Sequence, residues 1–583
     1  MFHPGTVLKW YLPFENRPRV EKSGEKVAKI GIDLGTTNSL AVIYKDGKSE
    51  KILNSLGSYI TPSAVSVDDD GQILVGEAAR DRLISHPDRS ASEFKRNMGL
   101  RTMVELSGTQ YTPEELSSLI LKKIKADCEV YLGEPVEEAI ISVPAYFDDN
   151  QRRATRVAAD LSGLKVERLI NEPSAAALAY LNKNGYNDGT YMVIDFGGGT
   201  LDVSVVDVFE DIIEILAVAG NNRLGGKDFN EAIAKDFCSK NDLDYDALSP
   251  AQRAVIYRAS ERAKIALTDV PMVMIEVPLD TKKYVLTLTN KELISLSKNV
   301  FEGIRDPVRK AVHYSRKRLE DIDKVILVGG SCRMPTVREF IRQITGIEPD
   351  TSIDPDIAIA EGAAIFAAMK NKDLKDVVLT DICPFTLGIA VNNNILRDGS
   401  MMMSSIIPRN STLPSSVTKP YNAGSNNQIR VKLDVYQGEN IHPDKNLYLG
   451  TIGLDCPPTR LNEKICDVKM TYDINGILIV DAIATDGNVV TKAFRSNSNV
   501  LSSEEIETMR ANMEASILVS PEDEKYRALI ARAERVYEES FDEHRGLIMV
   551  LLMSFRASLE RRDPIKVKET YKQLSDLLDR LEY

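Results

Sequence analysis

Cysteine is sparse in this chain: six residues in 583, with no two spaced as a CxxC pair. That spacing disfavours a zinc site or a disulfide framework, and Cys128, Cys238, Cys332, Cys383, Cys456 and Cys466 read as buried or idle thiols. No GxxxxGK[ST] string occurs, which excludes a Walker-type phosphate loop. No apolar run approaches the roughly 20 residues of a membrane-spanning helix, so no membrane partner is expected. The first 28 residues carry Pro4, Pro13 and Pro18 among interspersed charges and lack the apolar core of a secretion signal. They read as a loose extension that holds the only tryptophan, Trp10. Positive charge is in deficit, with 73 Lys and Arg against 86 Asp and Glu, a net charge of −13. This argues against a nucleic-acid-binding surface and fits a cytoplasmic protein.

What is present is glycine in unusual places. Residues 193–206 read VIDFGGGTLDVSVV, three consecutive glycines between two apolar strands. Glycine weakens a strand interior, so such a run marks a bend or a close approach of backbone to another group. Asp195 precedes the turn, and Thr200 and Asp202 follow it. Carboxylates and a hydroxyl therefore surround bare N–H groups, an arrangement suited to a phosphate and its metal. A plain Gly-rich hairpin explains this segment alone about as well. A second copy lies at 30–43, IGIDLGTTNSLAVI, about 160 residues earlier, and suggests a duplicated α/β unit gripping one polyphosphate from both sides. A third Gly-rich turn follows the strand Val325–Val328, at Gly329-Gly330-Ser331.

Length implies several domains. From Lys29 to residue 372 strands alternate with helices, the clearest helices being 151–162, with Gly163 as its stop, 173–181 and 251–267. A short charged-then-apolar linker, 373–380, follows. Residues 381–501 show alternating strands between Pro- and Asn-rich turns, with Ile429, Val431, Leu433 and Val435 placed on one face, and read as a β domain. Residues 502–583 are helical, starting like a capped helix at Ser502 and broken at Pro521 and Pro564.

GIDLGTTNS (31–39), NEPSAAALAYL (171–181), VIDFGGGTLDVS (193–204), LGGKDFN (224–230) and VGGSCRMPTV (328–337) together resemble the ATPase domain of the 70-kDa heat-shock chaperone family. The likeness continues through DICPFTLGIAV (381–391), IIPRNSTLP (406–414) and VYQGEN (435–440). The resemblance implies an α/β actin-like two-lobed ATPase, an all-β sandwich that holds extended peptides, and a short α-helical lid. Asp33 and Asp195 would orient a hydrated Mg²⁺, with K⁺ beside it. Gly35, Thr36, Thr37, Asn38, Gly197, Gly198, Gly199 and Thr200 would cradle the ATP or ADP phosphates. Lys95 would meet charge on the transferring phosphoryl group, and Glu172 and Asp202 would hold the attacking water and metal shell. Glu261, Lys264, Thr268, Gly329, Gly330, Ser331, Arg333 and Asp356 would form the adenosine pocket. Without the resemblance, Glu261 and Lys264 at i,i+3 read as an exposed ion pair, and Lys95 carries no signal of its own.

Ile389, Val391, Tyr421, Val431, Leu433 and Val468 align with the family's peptide pocket, although their alternation alone favours sandwich core. Asn392 and Gly424 stand where the family's arch over the peptide has a bulky or methyl-bearing apolar pair, which implies an altered peptide preference. Pro144, Arg152 and Arg168, with Val377, Val378 and Leu379 of the linker, match the relay between domains. Apolar linker side chains need a docking groove, so a charge at Val378 is expected to break the docked state. The short segment between Thr268 and Thr287, lacking a long exposed loop, and the abbreviated helical end are most similar to the specialised bacterial HscC-type branch. The resemblance further implies unfolded client peptides, a J-domain co-chaperone, and little response to a GrpE-type exchange factor. The alternatives are an actin-fold metabolite kinase and a filament-forming actin relative, neither of which accounts for a β domain on an apolar linker.

Overall fold

The structure, a computed structural model, describes residues 29–166, 168–210, 212–279, 282–370, 377–392, 401–473, 476–494, 503–540 and 542–582. The extension 1–28, residues 371–376, which include the linker's first four, and Ser502 lie outside the described residues. Two lobes share one plan. In the first, Lys29–Leu34 pairs antiparallel with Asn38–Lys45 and parallel with Glu138–Val143. In the second, Gly189–Phe196 pairs antiparallel with Leu201–Phe209 and parallel with Lys324–Val328. The duplication read from the two turns is thus a duplication of sheet topology, and it places both turns at equivalent strand ends.

Helices Glu172–Asn184 and Ala358–Lys370 pack against each other between the lobes. A methyl at Gly362 would lie 1.8 Å from the Ala175 carbonyl oxygen, and one at Gly31 would lie 2.1 Å from the Ala364 nitrogen, so these glycines set how closely the backbones cross. The helices expected near 151–162, 173–181 and 251–267 run Asp149–Leu161, Glu172–Asn184 and Pro250–Ala266. Asp148 and Ser249 close capping boxes at the first and third, and Gly163, at φ 76°, ends the first.

The linker is a strand. Val378–Thr380 adds in parallel to Ile212–Asn221 at the edge of the second lobe's sheet, with Ile212 opposite Val378 and Ile213 opposite Leu379. Val377 and Leu379 pack onto the cluster containing Ile213 and Ile215. Val378 is 52% exposed, which corrects the expectation that it carries the docking: with a period of two, only its neighbours can face the lobe.

The β domain is a sandwich of two four-stranded antiparallel sheets. Ile389, Leu433, Val435 and Val468 fill its core, whereas Ile429, expected on the same face, is 59% exposed at the strand's open end. Pro521 and Pro564 each open a helix, Pro521–Glu538 and Pro564–Glu582, where a missing N–H costs nothing. The helical region lies on the first lobe. Met509 and Met513 of Ser503–Ala515 enter that lobe's core, and Pro521–Glu538 packs along Glu77–Ser85. All six cysteines are buried and unpaired.

Candidate functional site

Between the lobes lies a cleft of about 320 Å³. The two Gly turns meet at its floor: a methyl at Gly198 would stand 2.1 Å from Thr37 Oγ1, so only a bare backbone lets the turns approach this closely. Gly197 N–H closes the second turn onto the Thr200 carbonyl at 3.1 Å. Asp33, Gly35, Thr36, Thr37, Asn38, Lys95, Glu172, Asp195, Gly197, Gly198 and Thr200 line the cleft, as do Glu261, Lys264, Thr268, Gly329, Gly330, Ser331, Arg333 and Asp356. Two of the expected residues do not. Gly199 is covered by Arg96, whose Nη2 donates to its carbonyl at 3.0 Å. Asp202 sits behind the wall, directly across the strand pair from Asp195 and 2% exposed.

The electrostatics are lopsided. Lys95 Nζ donates to Glu172 Oε1 at 2.9 Å in a pair with 6% exposure on each side chain. Asp33, Asp195 and Asp202 crowd the same place. Burial, then Glu172, pushes the Asp33 carboxyl up to about 6 although Ser142 Oγ donates to it at 2.7 Å. Burial and Glu172 push Asp202 up to about 8, and burial, Glu172 and Asp202 raise Asp195 well above the carboxylate range. Neither oxygen of Asp202 receives a hydrogen bond from the described residues. Like charges across a strand pair and orphaned buried carboxylate oxygens are unfavourable unless a cation joins them, so this donor set fits a hard divalent ion. Among the described residues no three acidic, histidine or cysteine side chains converge to hold an ion directly.

The far wall combines charged groups with apolar side chains. Lys264 Nζ donates to the Gly226 carbonyl at 3.0 Å, and burial lowers its ammonium to about 8. That side chain is aimed into the cleft, unlike the exposed ion pair that spacing alone suggests. Arg333 is clamped between Asp354 and Asp356, each at 2.6 Å, and Ser331 Oγ donates to the Gly197 carbonyl at 2.8 Å. Sequence reasoning missed the apolar part of the wall, Ile60, Ile265 and Met334. Of these, Ile265 is 60% exposed on the helix Pro250–Ala266. Lys227, in the quoted LGGKDFN motif, also lines the cleft and pairs with Glu93 of the first lobe.

The residues aligned with a peptide pocket divide by burial. Ile389, Leu433 and Val468 are core, while Val391, Tyr421 and Val431 pack partly buried at its edge. Tyr421 Oη lies 3.0 Å from Ser404 Oγ. Asn392 and Gly424 do face each other: a methyl at Gly424 would lie 3.3 Å from Asn392 Nδ2.

Of the expected relay residues, Pro144, Arg152 and Arg168 lie at the seam between the first lobe and the sandwich, whereas Val377, Val378 and Leu379 lie at the edge of the second lobe's sheet. Arg152 Nη2 donates to Asn171 Oδ1 at 2.7 Å, and Asn171 Nδ2 donates to Asp381 Oδ2 at 2.5 Å. The Pro144 carbonyl accepts from Phe147 N–H at 3.1 Å in the turn ahead of that helix, and Arg168 lies 5.0 Å over the Phe366 ring and within the field of the Asp381 carboxylate. Asn171 and the buried bond from Tyr472 Oη to Asp149 Oδ1, 2.7 Å, were not singled out in the sequence. No helix among the described residues is long and apolar enough to cross a membrane. The model of one protein family, described as Hsp70 protein, matches residues 29–105 and 100–580.

Proposed function

The chain belongs to the Hsp70 family, and from that premise we propose that it is an ATP-dependent chaperone that binds and releases extended segments of unfolded proteins. Family members are ATPases; the reading here assigns that activity to the cleft between the paired Gly turns. The observation that carries it is the linker strand Val378–Thr380 paired into the second lobe's sheet, because a kinase or a filament protein has no use for a sandwich coupled in this way.

Thr36, Thr37 and the Gly197–Thr200 turn would hold the β- and γ-phosphates through N–H and hydroxyl donors. Mg²⁺, when bound near Asp33 and Asp195, would neutralise phosphate charge, with K⁺ as a companion. Lys95 would meet the charge that develops on the transferring phosphoryl group, and Glu172 would orient the attacking water. Asp202, set back behind Asp195, would act on that shell through its charge. Gly329, Gly330, Ser331, Arg333, Asp356, Glu261, Lys264 and Thr268 would hold the adenosine.

Val391, Tyr421 and Val431 at the sandwich edge, with Ile389, Leu433 and Val468 behind them, would receive the peptide under an arch left open at Asn392 and Gly424. Arg152, Asn171 and Asp381 would pass the state of one domain to the other. A J-domain partner, a cytoplasmic location, fast ADP release without need of GrpE and membership of the HscC-type branch belong to the same reading. An unfolded peptide should stimulate ATP hydrolysis without itself being phosphorylated. Phosphate transfer to the peptide, or hydrolysis indifferent to it, would refute the assignment.

A further inference from the structure

The helical region does more than cover the first lobe. It holds to that lobe by many contacts: Val519 N–H donates to the Ile73 carbonyl at 3.1 Å, Lys123 Nζ lies 2.9 Å from Glu524, and Arg527 lies 2.8 Å from Asp70. First lobe and helical region therefore move as one packed body. Besides the first lobe's own cleft contacts, Glu93 to Lys227 and Arg96 to the Gly199 carbonyl, that body reaches the second lobe through the helical region. Arg535, 4% exposed, lies 2.7 Å from Asp81 and 2.6 Å from Glu539; Glu539 Oε1 lies 3.0 Å from Nε of Arg258; and Arg258 lies 3.7 Å from Asp81. Two guanidiniums and two carboxylates thus alternate across the boundary between the lobes. The Glu539–Arg258 member is a charge contact, since that Nε–H is not aligned for a hydrogen bond.

Arg258 belongs to the helix Pro250–Ala266, which carries Glu261 and Ile265 three and seven positions further on, on the same face. Both line the cleft. A nucleotide held between lobes leaves only when the lobes part, and parting them separates Arg258 from Glu539 and Asp81. We propose that the C-terminal helical domain is a clamp on nucleotide release, with Glu539 and Arg258 as positioning residues that hold the Glu261- and Ile265-bearing helix against the first lobe. Docking of the helical domain and retention of nucleotide are then linked reciprocally, since whatever undocks Glu539 loosens the cleft. This rests on the cleft being a nucleotide site.

The test is release of a fluorescent ATP analogue with Mg²⁺ from the full chain, followed by stopped flow. Glu539→Ala and Arg258→Ala should each speed release about tenfold, and the double variant should be no faster than the faster single, the mark of a shared interaction. Arg258→Lys, which keeps the charge, should stay within about threefold of the parent. Arg527→Ala breaks a contact to the first lobe alone and should leave release within about twofold. Thermal unfolding of each variant separates loss of the contact from loss of the fold. Release unchanged in both alanine variants, effects that multiply in the double variant, or equal acceleration by Arg527→Ala would each overturn the clamp. Failure of the unmutated chain to bind the analogue would instead overturn the nucleotide assignment.

Discussion

The cleft between the lobes and the seam where linker, sandwich and first lobe meet are both buried polar places, and they are polar in opposite ways. The cleft gathers Asp33, Asp195, Asp202 and Glu172 around a single lysine, Lys95, and leaves the Asp202 oxygens without donors. The seam pairs its charged groups within the chain, Tyr472 to Asp149, Arg152 to Asn171 and Asn171 to Asp381, with Gln437 Nε2 alone among the named groups finding no acceptor in the described residues. An excess of one charge is tolerable only where a counter-charge arrives from outside, whereas paired groups with apolar neighbours form and separate without any ligand. The cleft is organised for binding and the seam for docking.

The sharpest way to break this contrast is at Lys95. Lys95→Ala should lower ATP hydrolysis by about 10²-fold or more while nucleotide affinity changes only a few-fold, because the glycine turns and the adenosine wall are untouched. Single-turnover hydrolysis beside equilibrium binding checks it, and the reverse pattern would remove Lys95 from the chemistry. Glu172 would be left as an unpaired buried charge, so thermal unfolding accompanies the measurement.

The seam should respond to a charge according to which way the linker side chain faces. Leu379→Asp buries a carboxylate against the second lobe and should abolish the acceleration of peptide release by ATP, a loss of a few kcal/mol of docking. Val378→Asp, at a position 52% exposed, should change that rate by less than about threefold. Equal effects from the two would mean that the strand pairing of 378–380 does not represent the coupled state.

A third test uses pH. Burial pushes the Asp149 carboxyl up to about 6. If undocking returns it to water and to its ordinary value near 4, the docked state binds the extra proton between those values. The burial cost on docking is absent below about 4 and complete above about 6, so docking strengthens as pH falls through that window. Between pH 7 and pH 5 the docked-to-undocked ratio should rise about tenfold, read by fluorescence transfer between the domains, and Asp149→Asn should flatten the profile. A ratio that falls with acid would reverse the assigned sign. The smallest effect is expected at the arch, where Gly424→Ala sets a methyl 3.3 Å from Asn392 Nδ2 and should slow peptide release two- to fivefold, about 0.4 to 1 kcal/mol. A faster release would mean that the methyl pushes Asn392 aside and does not narrow the opening.

The paired turns of the cleft were legible in the sequence because their chemistry is local, whereas Lys95, Glu261 and Lys264 came only through the family resemblance. A Gly turn that ends an apolar strand at an aspartate needs those residue types side by side, and its repetition is visible as a repeat. The sandwich was legible as a period of two, which finds alternation but cannot tell a core face from a ligand-facing edge; hence Ile389, Leu433 and Val468 fall in the core while Val391, Tyr421 and Val431 lie at its edge. The outward turn of Val378 was not legible, since a three-residue strand has no pattern until its partner strand sets its phase.

The sequence alone determined the paired turns with Asp33 and Asp195, the order of α/β, β and helical regions and the apolar linker, because each is written in neighbours or in short periods. Only the tertiary structure decided that Asp202 stands behind Asp195, that Gly199 lies under Arg96, and that the helical region lies on the first lobe with Glu539 reaching Arg258. Those contacts join residues from seven to several hundred positions apart, and nothing in the local chemistry of a glutamate at 539 and an arginine at 258 marks them as partners. Which distant charges meet is settled by how the cores pack, Met509 and Met513 in the first lobe among them, and the ion pairs follow from that packing.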